Sequence, residues 1–201
     1  HAGQVCVSVQ RVFVHEEICD DVAQRLAAMA KELIVGDPLD EKTEVGPLIM
    51  PGEVDRVEQW VNEAVEKGAV LLCGGRRLSD FHYAPTVLLN PPEDCKVSIQ
   101  EVFGPVVCIF SYTDRNTAIK QANALPYAFQ ASVFTDNLNA SMEIVKKLNA
   151  TAVMVNDHTA FRVDWMPFGG RDESGIGMGG IPYSMEEMTR TKMMVIKNKH
   201  L

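Results

Sequence analysis

Short apolar strands alternate with amphipathic helices along almost the whole of this 201-residue chain. Runs rich in β-branched and aromatic residues predict strands, and apolar residues at steps of three and four predict the helices between them. Because a parallel connection needs a crossover that covers one face of the sheet, this alternation predicts an α/β fold of three layers, with a largely parallel sheet and helices on both faces. The predicted strands are 7–14, 69–73, 83–89, 106–110, 130–134, 152–155 and 192–197, and the predicted helices are 16–35, 51–67, 115–124, 138–148 and 183–189.

The pattern also predicts which residues are buried. The short apolar run 69–73 is closed by glycines, which predicts a buried strand and makes Cys73 most simply a thiol of the core. Pro85 places the strand 83–89 near an edge of the sheet, or else marks the start of that strand. One face of the first helix is predicted to be buried by Ile18, Val22, Leu26, Met29, Ala30 and Leu33.

Composition narrows the class of protein. A hydrophobic content of 46% and a charged content of 23% suit a globular domain able to bury a core. The net charge of −8 argues against a nucleic-acid partner and against an anionic membrane surface. No stretch approaches the ~18 apolar residues of a membrane span, so we expect neither kind of partner.

Cysteine and histidine usage points to a reduced compartment without a bound metal. The five cysteines are odd in number and form no CxxC pair, which favours free thiols in the cytoplasm. The five histidines have no metal-ligand spacing, so no metal site is predicted.

Cys6 is the candidate nucleophile because it lies in a glycine-containing turn that leads into a predicted strand. The thiolate is the reactive form of cysteine, so a functional thiol must be partly exposed where its pKa can fall. A cysteine at such a junction meets that condition. The alternative is a buried structural thiol, because free cysteine is among the most buried residue types.

Two further stretches place polar groups on loops beside strands. Glu101 and Phe103 precede a predicted strand. Glu101 could offer a carboxylate to ribose hydroxyls, and Phe103 could offer a flat apolar face. The alternative is a solvated carboxylate beside a ring of the core. His158 follows another strand and is either a general base or an ordinary loop histidine. The G-x-G-x-x-G match that begins at Gly175 lacks the preceding strand and the long following helix of a dinucleotide site.

Taken in order, six segments make the chain resemble the aldehyde dehydrogenase superfamily. They are GQVCVS, GDPLDEKTEVGPLI, EVFGPVV, ASVFT, VND and PFGGRDESG. The resemblance covers nearly the whole chain and is to the catalytic half of that family. It implies that an aldehyde is oxidised to a carboxylic acid with NAD or NADP as cofactor, most in the manner of lactaldehyde or semialdehyde enzymes.

The resemblance also implies roles for individual residues. Cys6 matches the nucleophile, which forms a thiohemiacetal and then a thioester that water hydrolyses. Glu101 matches the residue that holds the nicotinamide ribose, and Phe103 the residue that packs against that end of the cofactor. Arg162 could pair with an acidic group of the substrate or be an exposed loop arginine. The positions matched to the substrate pocket are Val5, Val7, Thr159, Phe161 and Phe168.

The same resemblance predicts the organisation of the chain. Residues 1–185 are expected to form a catalytic domain that lacks the family's cofactor-binding domain, and residues 186–201 an oligomerisation strand of a homodimer or homotetramer. The family's general-base glutamate and oxyanion asparagine lie upstream of the nucleophile, so we expect the chain alone to be inactive. The alternatives are a CoA-acylating or phosphate-dependent semialdehyde dehydrogenase, and a non-catalytic oligomerisation module.

Overall fold

The computed structural model describes residues 1–199, which divide into two compact units. The first unit comprises His1–Leu125 with Lys146–Leu148, and the second comprises Pro126–Val145 with the residues from Asn149 onward. Each unit has its own sheet, so each is described by itself.

A four-stranded sheet forms the centre of the first unit, in the order β1-β4-β3-β2. Strands β1, β4 and β3 are parallel to one another, and β2 runs antiparallel to β3. The elements of this unit are β1 (Arg11–His15), α1 (Glu16–Glu32), α2 (Pro51–Glu66), β2 (Val70–Cys73), β3 (Thr86–Leu89), α3 (Lys96–Ile99), β4 (Val106–Tyr112) and α4 (Arg115–Ala122).

Helices cover both faces of this sheet, as the alternation predicted. Successive strand residues point to opposite faces, so neighbours in β3 and β4 enter different cores. Leu88 and its register partner Cys108 pack with the buried side of α2, whereas Ile109 packs with Ala23 and Ala27 of α1. The three-layer α/β fold is thereby confirmed.

The second unit holds two small pairs of strands. Its elements are β5 (Tyr127–Ala128), β6 (Gln130–Val133), α5 (Leu138–Lys147), β7 (Ala152–Val155), β8 (Arg171–Asp172) and α6 (Ile181–Glu187), the last turn of α5 being counted with the first unit. Strands β6 and β7 are parallel, and β5 and β8 are antiparallel.

The first strand begins later than predicted. The prediction was 7–14, but regular pairing with β4 starts at Arg11. The reason is a turn in which the N–H of Ser8 donates to the carbonyl of Val5 at 2.9 Å, so residues 5–8 curl rather than extend. Cys6 lies in this turn and is therefore outside the sheet.

The buried face of α1 is narrower than predicted. Ala23 and Ala27 are 0% and 2% exposed, whereas Ile18 and Met29 are 56% and 68% exposed. Small side chains let the helix approach the sheet closely, and this contact turns part of the predicted apolar face outward. The prediction that Ile18, Met29 and Leu33 are buried is therefore wrong, and Leu33 lies just beyond the end of α1.

Two other predicted strands differ from the structure in burial or in pairing. Strand β2 lies at the sheet edge with Val70 and Leu71 exposed and only Cys73 buried, so the prediction of a buried strand is wrong, although Cys73 is a core thiol. Pro85 immediately precedes β3, which confirms the second of the two readings of that proline. Residues 192–197 form no strand, because within the described chain they are not paired with another strand. The last two residues of the predicted segment 186–201 lie outside the described residues.

A pair of substitutions tests this assignment of buried and exposed side chains. Leu88 is 0% exposed, so Leu88→Ala should lower the free energy of unfolding by about 2–5 kcal/mol, because it removes methyl groups from a packed core. Ile18→Ala on the exposed side of α1 should change it by less than about 0.5 kcal/mol. Urea unfolding followed by circular dichroism measures both, and an equal loss in the two variants would contradict the assignment.

Candidate active site

The turn that carries Cys6 is exposed at the start of the first unit. Cys6 is the exposed member of the five cysteines, and the other four are buried. Its neighbours Val5 and Val7 are half-buried, so the turn is anchored on either side of the thiol. This placement fits a reacting thiol and excludes the alternative of a buried structural one.

A glutamine fixes the beginning of this turn. The side chain of Gln4 donates to the carbonyl of Pro47 at 3.1 Å and accepts from the N–H of Ile49 at 2.9 Å. The two bonds satisfy both ends of the carboxamide and tie the segment before Cys6 to the residues before α2.

Glycine is required where this segment meets the loop before β4. Gly3 has φ of 74°, and a Cβ built on it would lie 2.1 Å from the carbonyl oxygen of Gly104. A larger residue at position 3 would therefore push the two backbones apart. The contact sets the distance between the cysteine turn and the loop that contains Glu101.

That loop presents two side chains to solvent and buries the one between them. Glu101 is exposed, Val102 is 1% exposed and Phe103 is 41% exposed. Phe103 has φ of 48°, in the left-handed region. Burial of Val102 holds its two neighbours at the surface on either side of it.

Both polar groups of Val102 are held by side chains from elsewhere in the unit. Its carbonyl accepts from the Nη2 of Arg56 at 2.6 Å, and its N–H donates to the Oε1 of Gln10 at 2.7 Å. The Arg56 guanidinium also pairs with Glu53 at 2.6 Å and lies 4.4 Å from the ring centre of Trp60. The loop is thus fixed by charge-assisted and neutral hydrogen bonds together.

The cysteine turn and this loop line one small cleft. Its lining residues are Gly3, Val5, Ser8, Gln10, Glu101, Phe103 and Gly104. The structure therefore brings the turn of Cys6 together with both residues predicted to bind the cofactor. Cys6 itself and Val7 are not among the residues that line this cleft.

Burial lowers the reactivity of three of the four buried cysteines. Burial raises the pKa of Cys73 and of Cys95, and it raises the pKa of Cys108 to about 12. Because a raised pKa lowers the thiolate fraction at neutral pH, these three thiols are poor nucleophiles.

The remaining predicted pocket residues lie in a loop of the second unit. Thr159 is buried, Phe161 is 46% exposed and Phe168 is half-buried. The Phe168 ring packs edge-on against Phe129 with centroids 4.9 Å apart, and the Arg162 guanidinium lies 4.0 Å from its centre. Arg162 is therefore held over an aromatic face, although it is exposed.

The other polar and glycine residues of that loop serve its own folding. His158 accepts through Nδ1 from the N–H of Ala160 at 3.1 Å, which uses one ring nitrogen within the turn. A Cβ built on Gly170 would lie 2.0 Å from the carbonyl oxygen of Ser174, and one on Gly180 would lie 2.4 Å from that of Met166. The glycines let the loop fold back on itself.

Two residues of the site were missed by the sequence analysis. Gln10 lies inside what was predicted as a regular strand, and Arg56 lies on the solvent side of a predicted helix. A polar residue in an otherwise apolar strand run was the available signal for Gln10. For Arg56 the sequence offers no comparable signal.

Residues 1–199 contain neither a candidate metal centre nor a membrane-spanning helix. No group of three or more histidine, cysteine or acidic side chains there could hold a metal ion. None of the helices described is long and apolar enough to cross a bilayer.

Comparison with known proteins connects this geometry to one family. Residues 1–194 match the family described as "Aldehyde dehydrogenase family". Over 196 residues the chain is 44% identical to 3-sulfolactaldehyde dehydrogenase of Priestia aryabhattai. This match covers 98% of the chain and 41% of that relative. The chain thus spans about two fifths of the length of such curated relatives.

Solved structures of the same kind are similar along nearly the whole chain. Aldehyde dehydrogenase 21 from Physcomitrella patens, in complex with the reaction product succinate, matches with a TM-score of 0.94 and 38% identity over 99% of this chain and 41% of that one. A glyceraldehyde-3-phosphate dehydrogenase from Methanocaldococcus jannaschii complexed with NADP matches with a TM-score of 0.88 and 40% identity over 93% of this chain and 40% of that one.

The exposure of the five thiols predicts their order of reaction. Iodoacetamide at pH 7.5 should label Cys6 at least about tenfold faster than each of the other four, because burial excludes the reagent from them and the raised pKa of Cys73, Cys95 and Cys108 also lowers their thiolate fraction. Mass spectrometry of tryptic peptides over a time course measures the five rates. Uniform slow labelling would contradict the exposure of the turn, and denatured protein serves as the control in which all five react.

Proposed function

The chain belongs to the aldehyde dehydrogenase family, and from that premise we propose that it carries the catalytic cysteine of an NAD(P)-dependent aldehyde dehydrogenase. The proposed reaction oxidises an aldehyde to a carboxylic acid through an adduct on Cys6. One observation carries the proposal: the exposed thiol lies in a turn whose residues share a cleft with Glu101 and Phe103.

The thiol of Cys6 supplies the chemistry that the protein itself performs. Its sulfur adds to the aldehyde carbon, the carbonyl π bond opens onto oxygen, and the thiol proton ends on that oxygen, which gives a thiohemiacetal. The backbone N–H of Cys6 is a donor for the developing negative charge on that oxygen. A nicotinamide cofactor held by Glu101 and Phe103 would supply the hydride acceptor for this adduct, with the hydroxyl proton passing to solvent. Hydrolysis of the resulting thioester by water would release the carboxylic acid and restore the Cys6 thiol.

Glu101 and Phe103 fit the ribose and nicotinamide end of such a cofactor. A carboxylate accepts two hydrogen bonds from a ribose diol, and Glu101 is exposed beside the cleft. The partly exposed ring of Phe103 offers a flat apolar face at the same rim. We propose that these two residues hold NAD or NADP next to Cys6.

The proposed substrate is a short aldehyde of the lactaldehyde or semialdehyde type. One relative above is named for 3-sulfolactaldehyde, and one solved structure is in complex with the reaction product succinate; both are small molecules that carry an anionic group. In the first unit, Val5 and Val7 beside the nucleophile are proposed as substrate-pocket residues. In the second unit, Thr159, Phe161 and Phe168 are the positions that the resemblance assigns to that role.

The wider organisation of the protein remains part of the proposal. We propose that residues 1–185 act as a catalytic domain and that residues 192–197, within the predicted segment 186–201, pair as a strand between subunits of a homodimer or homotetramer in the cytoplasm. Exposed Met193, Met194, Val195 and Ile196 support an intersubunit strand, because apolar side chains at such exposure gain from a partner surface.

A covalent adduct on Cys6 tests the proposed chemistry directly. Carbonyl-¹³C lactaldehyde mixed with the chain should give a new ¹³C resonance of a thiohemiacetal, because an exposed thiol adds reversibly to an aldehyde carbon. The resonance should be absent in Cys6→Ser and retained in Cys73→Ser, which removes a buried thiol. Loss of the signal in both variants or in neither would contradict the assignment to Cys6.

Turnover by the chain alone should be negligible. The resemblance assigns the general-base glutamate and the oxyanion asparagine to positions before residue 1, and removal of one oxyanion donor alone costs about a hundredfold in rate or more. The chain with NAD⁺ and lactaldehyde, followed at 340 nm, measures this. Turnover at rates typical of enzymes, on the order of 1–10³ per second, would contradict the expectation.

The proposed role of Glu101 has its own test. Nicotinamide mononucleotide, which presents one ribose and the nicotinamide ring, should shift the amide resonances of residues 101–104. Glu101→Gln should weaken this binding about tenfold, because it replaces a charged acceptor by a neutral one. Glu93→Gln is the matched control on an exposed carboxylate outside the cleft, and equal affinities in the two variants would contradict the role.

A further inference from the structure

Gln10 makes an unusual set of contacts for a residue that enters a strand. Its Nε2 donates to the carbonyl of Val97 at 2.8 Å and to the carbonyl of Gln100 at 2.7 Å, and its Oε1 accepts from the N–H of Val102 at 2.7 Å. Both donors and the acceptor of the carboxamide are thereby used, on the backbone of α3 and of the loop that follows it.

Two of these three bonds bracket Glu101. The carbonyl of Gln100 belongs to the peptide group that precedes Glu101, and the N–H of Val102 belongs to the peptide group that follows it. A single side chain thus holds the backbone on both sides of one exposed residue. We propose that Gln10 is a positioning residue that fixes the backbone of Glu101 at the cleft.

The need for such a hold follows from the place of Glu101. It lies on an exposed loop, where a backbone without tertiary bonds samples many conformations and loses that freedom when a ligand binds. Preorganisation of the carboxylate removes part of this cost before a ribose arrives. The buried side chain of Val102 and the bond from Arg56 hold the next residue, so Gln10 adds the hold on Glu101 itself.

The arrangement also couples two parts of the site. Gln10 follows Cys6 by four positions on the same segment, and the carbonyl of Gln10 accepts from the N–H of Cys108 in β4 at 2.8 Å. The segment that carries the thiol is therefore fixed to the sheet at the residue whose side chain holds Glu101. Displacement of this segment would move the thiol and the carboxylate together.

Hydrogen exchange measures the hold in the 201-residue chain. In Gln10→Ala the amide of Val102 should exchange at least about tenfold faster than in the wild type, because it loses its acceptor. Gln10→Glu keeps the size of the side chain but loses both donors and sets a carboxylate against two carbonyl oxygens. It should therefore weaken the response of residues 101–104 to nicotinamide mononucleotide as strongly as Gln10→Ala does. Gln59→Ala, an exposed glutamine on α2, should change neither quantity.

The amide of Cys108 separates positioning from general loss of structure. If it stays protected while Val102 loses protection, the effect is confined to the loop, as proposed. Loss of protection at both amides, or exchange of Val102 within twofold of the wild type in Gln10→Ala, would overturn the proposal.

The inference about Gln10 rests on the proposed role of Glu101 in holding a ribose, and the two can fail separately. If nicotinamide mononucleotide leaves residues 101–104 unchanged in the wild type, the role of Glu101 fails, while exchange at Val102 still decides whether Gln10 holds the loop.

Discussion

The close approach of Gly3 to the carbonyl of Gly104 is the contact on which the candidate site depends. It brings the first residues of the chain against a loop that lies a hundred residues later, where no room exists for a side chain. The bonds from Gln10 to that loop then fix its backbone at the distance that this contact allows. The turn that carries the thiol and the loop that carries the carboxylate, far apart in sequence, come to line one cleft because two backbones touch.

The sheet determines which thiols remain inert. Cys73 and Cys108 are strand residues whose side chains enter the cores on either side of the sheet, and burial there raises the pKa of each. Cys6 stays exposed because the chain turns before it begins to pair with β4. The path of the backbone therefore determines which of the five thiols a reagent can reach.

Periodicity predicts the order of elements well because strand and helix patterns depend on neighbours in sequence. It predicted both helices that cover the sheet and the strands β3, β4, β6 and β7 to within a few residues. The exposed side of α1 was mispredicted because Ala23 and Ala27 let the helix lie close to the sheet, which leaves larger side chains outside the contact. The distance between helix and sheet depends on the sheet, and the periodicity of the helix does not describe it. Cys6, Glu101 and Phe103 came from motifs, whereas the bonds of Gln10 and Arg56 arise only when distant segments meet.

The left-handed backbone of Phe103 has a consequence for how the chain could change over evolutionary time. A bulky residue at φ of 48° costs of order 1 kcal/mol or more, which a glycine at the same place would recover. Selection for stability alone would favour that glycine, so the aromatic ring at this position costs the fold free energy. Under the cofactor role proposed for Phe103, position 103 is one where a substitution that stabilises the fold removes a binding surface.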